Sequence, residues 1–62
     1  MDYFTALVTN EGMLYDEDKM NKKEREAWIQ RVKRFNQEVI GYFTFENEAD
    51  YKKLVNSYYK AY

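Results

Sequence analysis

Residues 3–15 read Tyr3-Phe4-Thr5-Ala6-Leu7-Val8-Thr9-Asn10-Glu11-Gly12-Met13-Leu14-Tyr15. Their pattern decides the fold. Residues 3–9 are β-branched and aromatic, which predicts a strand. Asn10-Glu11-Gly12 is a short loop with Gly where a positive φ is needed, as in a hairpin. Residues 13–15 then form a short return strand. The chain therefore opens as a β-hairpin, and everything after it has a sheet to pack on.

Outward from the hairpin, Asp16-Glu17-Asp18 is a polar break. Trp28, Val32, Phe35 and Val39 recur at the spacing of one helical face, with Ile29 on its flank, so a helix is expected over 21–39. Asn21 followed by Glu24 has the form of a capping box. A start near Asp16, where acids suit the helix dipole, is the alternative. Gly41 is placed to close this helix. Residues 40–45, Ile-Gly-Tyr-Phe-Thr-Phe, predict a third strand. Asn47 is placed to cap a last helix over 48–61, with Asp50 at its third position. Tyr51, Leu54, Val55, Tyr58 and Tyr62 share one face of that helix, and Lys52, Lys53, Asn56 and Lys60 lie opposite.

The expected architecture is α+β: a small ββαβα single domain over residues 1–62. Its sheet has three strands, is mainly antiparallel and has spatial order 2-1-3, with both helices on one face. A chain of this size buries only about 60% of its unfolded surface, so its stability is marginal. There is no Cys to form a disulfide, and without Cys or His a structural zinc site has no usual ligands. The compensation is aromatic. Seven Tyr, four Phe and one Trp stand in 62 residues, and each such side chain buries about 150–250 Å².

The same composition argues against catalysis. No nucleophile–base pair is available without Cys or His, and the single Ser57 falls on the polar side of the last helix. Three consecutive acids at 16–18 lack the spaced oxygens of a calcium loop. Gly12 and Gly41 are too far apart to cradle a phosphate. No cofactor or metal is expected. No apolar run spans a bilayer, and no signal peptide is read at the start. The expectation is a soluble cytoplasmic protein without a membrane partner.

Binding is the remaining class. With both helices on one face, the other face of the sheet would expose Tyr3, Leu7, Ile40 and Tyr42, an aromatic patch of the kind that marks an interface. Tyr59 lies off the core stripe of the last helix and extends the candidate interface. Overall charge nearly cancels, yet residues 19–34 carry seven bases and two acids. Lys22, Lys23, Lys33 and Arg34 fall on the outer half of the first helix, a candidate surface for nucleic acid or an acidic partner. Glu26 in the middle of that face and the absence of interleaved aromatics weigh against nucleic acid. An ordinary solvated face explains the same pattern.

The reading is a small non-enzymatic protein-interaction module. Its Lys-, Glu-, Asn- and Tyr-rich style is that of phage and mobile-element products, so an inhibitor or regulator of a host or defence protein is expected. The alternatives are a nucleic-acid-binding regulator that uses the basic helix 19–34, and a homodimeric assembly protein.

Overall fold

The hairpin forms where its residues demand it. The computed structural model of the protein describes residues 2–35 and 37–60, Lys60 by its backbone alone. Strand β1 is Phe4–Thr9 and β2 is Gly12–Tyr15, joined by Asn10-Glu11. Thr9 closes the turn: its Oγ1 donates to the Gly12 carbonyl at 2.8 Å and accepts from the Glu11 N–H at 3.1 Å. Gly12 has φ +133°, a conformation that a side chain strongly disfavours. Helix α1 is Lys22–Arg34, strand β3 is Val39–Phe45, and helix α2 is Glu48–Lys60. The sheet order is β2-β1-β3, and both pairings are antiparallel. Fold class, element order and strand order are those the pattern predicts.

Capping fixes both helix starts. Asn21 Oδ1 accepts from the Glu24 N–H at 2.8 Å, and Glu24 Oε1 accepts from the Asn21 N–H at 3.2 Å, a complete capping box. Asn47 Oδ1 accepts from the N–H groups of Ala49 and Asp50. The acids at 16–18 stay outside α1, where the Asp16 carboxylate accepts from the Asp18 N–H. Glu48 and Lys52 pair across one turn of α2 at 2.8 Å on the surface. That hydrogen bond holds the Glu48 carboxyl below its ordinary value and the Lys52 ammonium above.

The first helix is shorter than the expected 21–39. It ends at Arg34, with Phe35 as its C-cap. Phe35 is 75% exposed rather than part of an apolar stripe, and Val39 belongs to β3. The cause is local competition. Asn10 grips Glu38 by backbone and side chain: the Asn10 N–H donates to the Glu38 carbonyl, and Asn10 Oδ1 accepts from the Glu38 N–H, both at 3.0 Å. Val39 then pairs with Thr9. Gly41 sits within β3 and closes no helix. The final positions of the expected second helix, 61 and Tyr62, lie outside the described residues.

The layering also differs from expectation. Phe4, Ala6 and Met13 pack with Tyr51 and Val55 of α2, flanked by Phe45, Leu54 and Tyr58. The Phe4 and Tyr51 rings stack at 5.1 Å. Side chains alternate along a strand, so Thr5, Leu7 and Thr9 point to the other face. That face is covered too: Thr5 and Leu7 have no exposed surface and Thr9 is 5% exposed. Tyr42, the register partner of Leu7, carries the Arg25 guanidinium of α1 over its ring at 4.6 Å. Val32 of α1 is buried, as is Met20 just before its N-cap. The two helices therefore take opposite faces, α2 over Phe4 and Ala6 and α1 over Thr5 and Leu7. Two helices suffice for a third layer when they separate.

Candidate protein interface at the third strand

With both sheet faces covered, the sheet edges become the informative surfaces. Strand β1 lies between its neighbours, so β2 and β3 are the edges. An edge presents unpaired N–H and C=O groups, which proteins usually blunt with charge, Pro, brevity or a cover.

The β2 edge is short, and tyrosines of α2 close it at Met13. The Met13 N–H donates to Tyr58 Oη, and the Tyr59 hydroxyl donates to the Met13 carbonyl, each at 3.1 Å. The two rings meet edge to face at 5.2 Å, and Tyr59 also meets Tyr15 at 5.7 Å. Just past the strand, Tyr51 Oη accepts from the Asp16 N–H at 3.1 Å. Tyr51 Oη also stands 2.7 Å from the carbonyl oxygens of both Thr5 and Asp16, within donating distance of either. Burial pushes the Tyr51 phenol above its ordinary value, and the hydrogen bond with Asp16 partly opposes this. Three tyrosines of α2 thus act as backbone partners.

The β3 edge is the reverse. Seven residues, Val39–Phe45, carry no charge and no Pro. Their outward groups follow from the ladder. Met13 turns its backbone outward to the tyrosines, so its partner Val8 turns toward β3. Val8 pairs with Gly41 and Ala6 with Phe43. Gly41 and Phe43 therefore face β1, and Tyr42 and Thr44 aim their N–H and C=O outward. No strand pairs with that side among the described residues. A register shift between Val8 and Thr9 leaves Ile40 as the extra residue, so one end of β3 is bulged while Gly41–Phe45 stays regular. Ile40 is 67% exposed, Tyr42 47% and Phe43 48%.

The residues expected at an interface separate accordingly. Leu7 is fully buried, on the face where Tyr42 carries Arg25, and belongs to the core. Tyr3 is half-buried and exchanges backbone hydrogen bonds with Met20, apart from the open β3 strand. Tyr59 is half-exposed, but its hydroxyl seals the β2 edge. Ile40 and Tyr42 are brought together on β3, Tyr42 with its ring under Arg25. Phe43 joins them, although alternation places it with its partner Ala6 on the α2 face of the sheet. The signal that would have found it is the uncharged run of β3 at the end of the predicted order 2-1-3.

Lys22, Lys23, Lys33 and Arg34 are all exposed on α1, and among the described residues none forms an ion pair. An open depression on the α2 side is lined by Tyr15, Glu17, Asp18, Glu48 and Lys52. Among the described residues no group of three acids is close enough to hold a metal ion. No described helix is long and apolar enough to cross a membrane. No family model matches the chain, and no curated protein or solved structure is significantly similar to it.

Proposed function

We propose that this chain is a non-enzymatic protein-interaction module that engages protein along the open β3 edge. The observation that carries the reading is the contrast between a short edge that tyrosines close at Met13 and a longer, bare one. Evolution of a stable monomer alone gives no reason to leave seven uncharged residues at a sheet edge, because such edges invite pairing. Strand addition supplies affinity through the outward backbone of Tyr42 and Thr44, and Ile40, Tyr42 and Phe43 supply side-chain contact. The role this supports is that of an adaptor, inhibitor or assembly protein, whose work is done by joining or occupying protein surfaces.

Parallel affinity capture with the wild-type chain and Thr44→Lys tests it. The lysine adds an edge charge at an exposed position. Proteins held by the wild type, this chain's own copies included, are expected to be lost from the variant. Equal retention by both baits would move the interface off β3.

A second reading rests on the exposed bases Lys22, Lys23, Lys33 and Arg34 of α1, which form no ion pair among the described residues. Binding of mixed duplex and single-stranded nucleic acid, measured at two salt concentrations, decides it. Phosphate contacts would weaken steeply with salt, and no binding at low salt removes the reading.

A further inference from the structure

We infer that the occupant of the β3 edge is a second copy of this chain, paired antiparallel about Phe43. This inference rests on β3 being the interface, and it names the partner. Two three-stranded sheets would then run on as one.

The backbone fits this register. With Phe43 on the two-fold axis, Tyr42 of one copy lies opposite Thr44 of the other. These are the residues whose N–H and C=O aim outward, and each such pair exchanges two hydrogen bonds. Phe43 meets its own counterpart at a non-hydrogen-bonded position, where Cα atoms approach to about 4.5 Å. Aromatic pairs stabilise that site, and Phe43 is half-exposed and available for it. Gly41 falls opposite Phe45 of the second copy. Nothing lies within 4 Å of where a Gly41 Cβ would stand, so that position presents no obstacle to a neighbouring strand.

Charge points to the same occupant. Residues 39–45 offer no counter-charge to a charged strand, and the chain itself supplies a matching uncharged one. Within the paired segment no acid of one copy lies opposite an acid of the other; Glu46 falls opposite Ile40. A chain of 62 residues without cysteine also gains what small domains otherwise lack, a larger buried surface.

The absence of cysteine makes the test direct. Sedimentation of the wild type over a range of concentrations should show a monomer–dimer equilibrium. Phe43→Lys places like charges face to face and should weaken association about tenfold or more, with Thr44→Lys, at an exposed position, as a second, milder variant. Phe43→Cys should oxidise to a covalent dimer. Thr44→Cys should not, because its Cα atoms would stand roughly 8 Å apart, beyond disulfide reach. A wild type that stays monomeric into the millimolar range overturns the pairing. So does a dimer that both lysine variants leave intact, or one that cross-links through Tyr42→Cys in preference to Phe43→Cys. A monomer whose captured proteins are still lost on Thr44→Lys overturns only the second copy. A monomer whose captured proteins are retained overturns the β3 interface as well.

Discussion

The two edges of this sheet solve one problem in opposite ways. At β2, hydroxyls of Tyr58 and Tyr59 satisfy both polar groups of Met13, while Tyr51 accepts from the Asp16 N–H and stands within donating distance of the carbonyls of Thr5 and Asp16 where β2 leaves β1. At β3, Tyr42 and Thr44 are left facing outward on a strand without a charge. Backbone groups of equal chemistry are thus either closed by side chains of the same chain or left for another chain. The difference teaches where tyrosine goes in a small protein without staples. Much of its hydroxyl chemistry here serves structure, and the open backbone lies on the strand those hydroxyls do not reach.

The strongest way to break the comparison is Gly12→Ala. A Cβ there would stand 2.6 Å from Tyr58 Oη, on a backbone at φ +133°. The clash pushes out a sealing tyrosine and strains the turn, a loss of about 3 kcal/mol in denaturant unfolding. Tyr51→Phe comes next, at about 2 kcal/mol, because three part-buried or buried backbone groups lose their partner. It also changes the pH response. Burial raises the Tyr51 phenol, so its stabilising preference for the folded state is fully present below the unfolded value of about 10. That contribution disappears as pH rises through the folded value. The wild type should therefore lose stability above pH about 10 more steeply than Tyr51→Phe.

Replacing Tyr58 and Tyr59 together by Phe should cost about 1 kcal/mol, since their hydrogen bonds to the Met13 backbone are only part-buried and water can replace the hydroxyls. The sharper readout is association: the unsealed β2 edge should add a concentration-dependent self-contact that the wild type lacks. Thr44→Lys is the smallest stability change, within about 0.5 kcal/mol, because an exposed edge position packs against little. A large loss there would mean that Thr44 is part of the core and the edge is not open.

Legibility in the sequence divides along the same line. Local signals were readable: the hairpin from Gly12, α1 from Asn21 and Glu24, α2 from Asn47. Strand order followed from how such elements connect. The end of α1 was not readable, because Phe35 and Val39 continue the helical period by coincidence while Asn10, distant in sequence, holds Glu38 for the sheet. Face assignment failed for a related reason. Alternation shows that Tyr3, Leu7 and Tyr42 share a face, but not which helix crosses it, and Leu7 is completely buried. Of the expected interface, Ile40 and Tyr42 survive on the open strand. Phe43 was missed, because its exposure depends on being at an edge.

Residue-resolved amide hydrogen exchange over a dilution series tests the contrast between the edges most directly. Met13 should be protected at every concentration by Tyr58. Gly41 and Phe43 should be protected by β1. Tyr42 and Thr44 should exchange freely when dilute and gain protection as a second copy pairs with β3. Protection of Tyr42 and Thr44 at the lowest concentration, or free exchange at Met13, would contradict the account.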